Sequence, residues 1–139
     1  MEISKILVAV DGSKYSDKAF EYAISIIQNH KQQQLLIVHV IENLGNIGYS
    51  NFNQLKQDSQ IILQKYLTKA ESKGLKSSLR IIEDEGNSPA EKILDISEKE
   101  KVDTIIVGTK GQKPSEQFLL GSTSYKVAHY SKCTVIIVK

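Results

Sequence analysis

The sequence contains a single cysteine, Cys133, and only two prolines among its 139 residues. With one cysteine no disulfide can form within the chain, which is typical of proteins from a reducing compartment. A chain of this length is the size of one domain, and such a domain buries roughly two-thirds of the surface that it exposes when unfolded. We therefore expect one domain over residues 1–139 that folds without disulfide or metal support.

The chain also lacks long apolar runs and a strong charge of either sign. No apolar stretch approaches the roughly 18 residues that indicate a membrane-spanning helix. The formal net charge is +2, which is too small to favour a nucleic acid or an anionic membrane as a partner. The opening residues, MEISKILVAVDGS, show no basic segment followed by the apolar core of a secretion signal. We therefore expect a cytoplasmic protein with no membrane and no nucleic-acid partner.

What the sequence does contain is a regular alternation of short apolar runs with longer amphipathic segments. The apolar runs are rich in branched residues, as strands are, and cover residues 3–10, 35–41, 75–82, 102–107 and 134–138. Helical spacing lies between them, over about residues 15–30, 52–73, 89–101 and 122–131. Strands that are apolar throughout need helices on both faces, which indicates a parallel sheet. The sequence therefore predicts an α/β fold, with a doubly wound open sheet of five parallel strands.

The segment GTKGQKPSEQFLLGSTS, residues 108–124, places three glycines between the fourth strand and the fourth helix. In an open α/β sheet, ligands bind beyond the carboxyl ends of the strands, where the direction of winding reverses. Glycine lets backbone N–H groups approach a ligand, and a helix that begins near Ser122 adds unpaired donors and the positive end of its dipole. Lys110 and Lys113 add charge, and residues 122–124 add hydroxyls. Together these features predict a polyphosphate site.

Neither of two common phosphate-binding motifs, GxxxxGK[ST] and GxGxxG after the first strand, is present. The chain instead carries G-x2-G-x9-G-[ST] over residues 108–122, with Asp11 after the first strand. Together with KILVAVDGSKYSDKAFEYA, LLIVHVIE and VDTIIVGTKG, this pattern resembles the universal stress proteins of the nucleotide-binding type, nearly end to end. The resemblance implies strand order 3-2-1-4-5 and a stress-response regulator. It further implies that ATP binds between strands 1 and 4, with slow hydrolysis or none.

The resemblance also implies roles for individual residues of this chain. Asp11 would contact the ribose or a Mg²⁺ ion that the nucleotide carries, and Val40 would offer its backbone groups to adenine. Ala9 and Val10 would line the adenine side, and the phosphates would lie at the glycine-rich loop and the helix start. The full predicted nucleotide site is Ala9, Val10, Asp11, Val40, Val107, Gly108, Gly111, Gly121, Ser122, Thr123 and Ser124.

Several of these residues also have a plain structural interpretation. Asp11 and Gly12 form a common turn sequence, and the hydroxyls of residues 122–124 are good helix caps with or without a ligand. The three histidines lie on different predicted elements without the spacing of metal ligands, so we expect no metal role for them. His39 is expected to face a helix that packs on the sheet.

Other function classes stay open beside a nucleotide-binding regulator. A slow ATPase or a phosphoryl or adenylyl transferase is one, but the only arginine, Arg80, is on the third strand, and no base can be placed at the phosphate end. We therefore assign no catalytic residue. A dimeric interaction module that works without nucleotide is another. A phosphoacceptor receiver domain is disfavoured, because Gly12 follows Asp11 where a receiver needs an acidic pair.

The last strand, residues 134–138, would lie at the edge of the sheet in the implied order. It contains no proline and no charge before Lys139, and an unprotected apolar edge strand is ready to pair with another chain. The resemblance points the same way, since many members of the family dimerise through this strand. We therefore expect a homodimer through residues 134–138. The expected partners are thus an adenine nucleotide, a second copy of the chain and further proteins whose identity the sequence does not indicate.

Overall fold

A computed structural model describes residues 4–28, 33–42, 49–110 and 120–139. The elements in chain order are β1 (Lys5–Ala9), α1 (Lys14–Ile27), β2 (Gln34–Ile41), α2 (Tyr49–Ser72), β3 (Lys76–Glu83), α3 (Pro89–Lys99), β4 (Thr104–Gly108), α4 (Ser122–Tyr130) and β5 (Thr134–Val138). The strands form one parallel sheet in the order β3-β2-β1-β4-β5. This confirms the predicted fold class and the strand order that the resemblance implied.

The core consists of two apolar layers, one on each face of the sheet. Phe20 of α1 belongs to the layer that α1 and α2 cover, and Ile93 of α3 belongs to the layer that α3 and α4 cover. Residues of β1 alternate between the two, with Ile6 and Val8 in the first layer and Leu7 in the second. Because both faces are buried, the central strands are apolar throughout, as the sequence indicated.

Two helices begin with a serine cap. In α1 the Ser16 N–H donates to Oγ of Ser13 at 3.2 Å. In α3 the Glu91 N–H donates to Oγ of Ser88 at 3.3 Å, and Pro89 is the first helical residue. Each hydroxyl satisfies one of the donors that the first turn of a helix leaves without an internal partner. Both helices are therefore capped at their amino ends by a serine that directly precedes the helix.

The apolar residues of the long helix α2 are not equally buried along its length. Leu63 and Tyr66 are buried, but Leu55 is 38% exposed and Ile62 is 61% exposed. A helix of 24 residues is about 36 Å long, whereas the 8-residue strand β3 spans only about 26 Å. The difference of about 10 Å is roughly two helical turns, so the first turns of α2 extend past the carboxyl ends of the strands. None of the described helices is both long and apolar enough to cross a membrane.

Candidate functional site

A crevice of about 480 Å³ opens at the carboxyl ends of β1, β2 and β4. Its position is the switch point of the sheet, because the chain proceeds from β1 toward β2 on one side and from β4 toward β5 on the other. Its volume lies within the range of about 300–1,000 Å³ that small-molecule sites occupy. All the predicted site residues that the structure describes line it, namely Ala9, Val10, Asp11, Val40, Val107, Gly108, Gly121, Ser122, Thr123 and Ser124. Gly111 and Lys113 lie outside the described residues.

The turn between β1 and α1 brings a carboxylate to this crevice. Oδ1 of Asp11 accepts the Ser13 N–H at 2.9 Å, and the Asp11 N–H donates to Oγ of Ser16 at 3.2 Å. Gly12 has φ of 84°, a left-handed conformation that glycine adopts without strain. The Asp11–Gly12 pair thus forms the turn that its plain interpretation predicts, and the same carboxylate lines the crevice. The two roles are compatible.

Helix α2 contacts the first turn of α1 through Tyr66. The Tyr66 hydroxyl donates to Oδ1 of Asp17 at 2.5 Å and lies 3.2 Å from Oγ of Ser16. Burial, and after it the hydrogen bond to Asp17, raise the pKa of Tyr66 well above its ordinary value, so the phenol keeps its proton. No sequence signal beyond helical spacing marked this residue.

The start of α4 is held close to the end of β4. The Gly121 N–H donates to the Thr109 carbonyl at 2.6 Å, and the Ser124 hydroxyl donates to the Gly108 carbonyl at 2.5 Å. A Cβ atom on Gly108 would lie only 2.8 Å from the backbone oxygen of Tyr15 in α1. Gly108 is therefore required for the approach of α1 to β4. Because the Ser124 hydroxyl proton is donated within the fold, the predicted phosphate contact of Ser124 falls to its backbone N–H.

Helix α4 begins without a capping side chain. Its N-cap residue is Gly121, and no side-chain hydrogen bond caps the first turn among the residues that the structure describes. Ser122 is exposed, Thr123 is half-buried, and Lys110 lines the crevice beside them. The first-turn N–H groups, two hydroxyls and one ammonium group thus surround one end of the crevice. This arrangement suits an anion.

His39 lies at the carboxyl end of β2, on the face of the sheet that α1 and α2 cover, as Leu35 and Ile37 do. Its Nδ1 lies 2.8 Å from the Val10 carbonyl oxygen, and its ring lines the crevice at the end of β2. The half-buried side chain therefore lines the site from the helix-covered face of the sheet, in line with the expectation that it faces a helix. Within the described part of the chain, no group of three or more His, Cys, Asp or Glu side chains is close enough together to hold a metal ion.

Comparison with known proteins identifies the family of this chain. The sequence model of the universal stress protein family matches residues 2–139. The chain belongs to this family. Over 150 residues it is 33% identical to the universal stress protein YxiE of Bacillus subtilis, with 98% of this chain and 99% of the relative covered. Over 142 residues it is 30% identical to the universal stress protein MJ0531 of Methanocaldococcus jannaschii, with 97% and 81% covered. The resemblance inferred from the motifs is thereby confirmed.

Solved structures show the same fold for this universal stress protein. The hypothetical protein MJ0577 superimposes with a TM-score of 0.89 at 26% identity, and 100% of this chain and 97% of that one are covered. A universal stress protein in complex with cAMP gives a TM-score of 0.75 at 23% identity, with 99% and 98% covered. A dAMP complex from Archaeoglobus fulgidus gives 0.73 at 19%, with both chains covered to 100%. An AMP-bound member from Arabidopsis thaliana gives 0.69 at 17%, with 98% and 91% covered.

The close contact at Gly108 leads to a prediction about stability. We expect Gly108→Ala to lower the free energy of unfolding of this universal stress protein by about 1–3 kcal/mol, because the new methyl group overlaps the backbone of Tyr15 and must displace α1. Urea unfolding followed by circular dichroism measures the change. Ser78→Ala, at an exposed position of β3, is the control and should change stability by less than about 0.5 kcal/mol. Equal stability of Gly108→Ala and wild type would contradict the prediction.

Proposed function

We propose that this protein is a cytoplasmic regulator of a stress response that binds ATP in the crevice, and that nucleotide occupancy changes how it interacts with other proteins. The observation that carries the proposal is the division of the crevice into a cationic end at α4 and a peptide-lined end at β2. The solved family members with cAMP, AMP and dAMP support an adenine nucleotide as the ligand class.

The phosphates are assigned to the start of α4. There the first-turn N–H groups, the hydroxyls of Ser122 and Thr123 and the ammonium group of Lys110 border the crevice. Each of these is a donor or a positive charge, which phosphate oxygens accept. The β2 end lies two strand spacings from β4, which is about 10 Å across β1. The base is therefore assigned to the peptide of Val40 at that end.

Asp11 lies between these two ends because β1 lies between β2 and β4. Its carboxylate suits a ribose hydroxyl, and it also suits a Mg²⁺ ion bound by the phosphates. Magnesium in nucleotide sites takes one or two carboxylates and completes its shell with phosphate oxygens and water. A single carboxylate at this position fits that mode. We therefore propose that Mg²⁺ enters with ATP and contacts the protein at Asp11.

The first test concerns the start of α4. We expect Gly121→Val to weaken ATP binding at least about tenfold, which corresponds to roughly 1.4 kcal/mol, because a branched side chain at the N-cap position blocks the approach of a phosphate. Isothermal titration calorimetry with MgATP measures the affinity. Ala128→Val adds the same side chain on the exposed side of α4 and should bind as wild type does. Absence of ATP binding by wild type, or equal binding by Gly121→Val, would refute the site assignment.

The second test concerns turnover. We expect fewer than about one ATP hydrolysed per minute, far below the median enzyme rate of roughly 10 s⁻¹. The only arginine, Arg80, lies on β3 and forms an ion pair with Glu100, so it is remote from the crevice. Transfer of a phosphoryl group needs charge stabilisation and a positioned nucleophile, and Lys110 supplies charge only. Steady-state release of phosphate at about one per second or faster would favour the enzyme interpretation instead.

We also propose that the protein is a homodimer through β5, which lies at the edge of the sheet. The Thr109 N–H donates to the Val138 carbonyl at 3.1 Å, so residue 138 forms rungs with β4. Because alternate residues point their backbone groups to opposite sides, Val135 and Ile137 direct theirs to the outer edge. Their side chains are half-buried in the single chain. An antiparallel copy about a two-fold axis would satisfy these groups.

Ile137→Pro tests this interface, because proline removes a donor from the outer edge while the rungs to β4 involve the alternate residues. We expect light scattering at tens of micromolar to show a dimer for wild type and a monomer for the variant, with the fold checked by circular dichroism. The opposite edge offers a matched control. There the Asp84 N–H donates to the Ile41 carbonyl, so the backbone groups of even-numbered residues in β3 point to β2 and those of odd-numbered residues point away from the sheet. Ser77→Pro therefore removes an outward donor at this edge, and the variant should stay dimeric. A monomeric wild type would refute the proposal.

A further inference from the structure

The hydrogen-bond ladder between β1 and β2 stops one rung early at the crevice. The Val10 N–H donates to the Val38 carbonyl at 2.8 Å. In a parallel pair the next rung would join the Val40 N–H to the Val10 carbonyl. Between these described residues that rung is not formed, and the carbonyl instead accepts a hydrogen bond from Nδ1 of His39 at 2.8 Å. An imidazole side chain has therefore taken the place of a backbone donor.

The chemistry of this contact fixes the role of the ring. A carbonyl oxygen only accepts hydrogen bonds, so Nδ1 of His39 must carry the proton. Val10 is only 4% exposed, and a buried carbonyl needs a donor. The neutral ring and the imidazolium can both donate from Nδ1. His39 thus satisfies Val10 and removes the need for the Val40 N–H to do so.

The consequence falls on the peptide groups of Val40. Val38 directs its carbonyl toward β1, and residues two apart in a strand point the same way, so the N–H and C=O of Val40 also point to that side. On the other side of β2, Ile41 accepts the Asp84 N–H at 3.1 Å. Val40 is half-buried and lines the crevice just beyond the last rung. A donor and an acceptor on one residue are thereby directed at the ligand space.

We propose that His39 is a positioning residue: its hydrogen bond to the Val10 carbonyl keeps the β1–β2 ladder open and leaves the Val40 N–H and C=O, which the proposed function assigns to the base, directed at the ligand space. This pair matches a heterocycle that presents an acceptor beside a donor, as adenine does with N1 and its amino group. Hypoxanthine presents a donor at N1 and an acceptor at O6. The Val40 N–H would then face the N1–H donor, and the Val40 carbonyl would face the O6 acceptor, so neither hydrogen bond could form. The choice of base rests on the proposed function, whereas the opening of the ladder does not.

Hydrogen exchange tests the opening of the ladder without any nucleotide. We expect the Val40 amide of the wild-type protein to exchange at least tenfold faster than in His39→Leu, measured by NMR. Leucine cannot donate a hydrogen bond to the Val10 carbonyl, so the Val40 N–H can donate to that carbonyl instead. His39→Asn places an amide N–H at the same distance from Cβ as Nδ1 and should exchange as wild type does. Equal Val40 exchange in wild type and His39→Leu would overturn the proposal.

Nucleotide titrations test the reading of the base. We expect wild type to prefer ATP to inosine triphosphate, and His39→Leu to lose about tenfold in ATP affinity while its affinity for inorganic tripolyphosphate is unchanged. His39→Asn should keep the ATP preference. A general structural defect would weaken tripolyphosphate binding as well, so that result would overturn the positioning role. An unchanged ratio of ATP to inosine triphosphate affinity in His39→Leu would overturn it too.

Two controls separate the possible failures. His129→Leu removes a histidine from the exposed end of α4 and should match wild type in both experiments. If His39→Leu does not fold, His39→Gln replaces it, because its amide lies one bond farther from Cβ than Nδ1 does. A wild-type protein that binds neither nucleotide would overturn the proposed function and the base-reading role. The exchange experiment would then still decide whether His39 opens the ladder.

Discussion

The parallel pairing of β1 with β2 on one side and β4 on the other is the constraint on which the rest of this molecule depends. It places the carboxyl ends of all three strands at one edge of the sheet. The chain leaves β1 and β4 in opposite directions, so the connections diverge and leave a crevice between them. Residues far apart in sequence thereby line one space: Asp11 follows β1, Val40 lies next to the last residue of β2, and Gly108 ends β4.

The polar groups at this edge stabilise the fold and shape the crevice at the same time. Asp11 closes its own turn through Ser13, and Ser124 secures the end of β4 through the Gly108 carbonyl. His39 completes the hydrogen bonding of the Val10 carbonyl. Each side chain is thus fixed before a ligand arrives, which is the condition for a preorganised site. For Asp11, a structural and a ligand-binding interpretation are therefore compatible, whereas the Ser124 hydroxyl donates its one proton to the fold.

Charge is organised differently at the amino ends of the strands. There Glu100, at the end of α3, accepts a hydrogen bond from Lys5 and forms an ion pair with Arg80. The hydrogen bond from Lys5, followed by that from Arg80, lowers the pKa of Glu100. These interactions connect the end of α3 to β1 and β3, so the only arginine of the sequence stabilises the fold. The crevice contains the ammonium group of Lys110 among its described lining residues, and no guanidinium group among them.

The sequence by itself determined the elements and their class, because the signals involved are local. Periods of two and 3.6 residues, the Ser88–Pro89 helix start and the spacing of Gly108, Gly111 and Gly121 are all contained in short segments. The order of the strands and the positions of the site residues came with the family resemblance, which depends on the same local motifs. What the motifs specified well was therefore the list of residues around the crevice.

Only the tertiary structure decided what those residues do to one another. The contact between His39 and Val10 joins positions 29 apart, and the one between Tyr66 and Asp17 joins positions 49 apart. No local pattern encodes such pairs, because they depend on where the ladder ends and how α2 packs on the first turn. For the same reason Ile62 has the spacing of a core residue but is exposed. Helical spacing specifies a face of α2, but the length of the sheet beneath it decides how much of that face is covered.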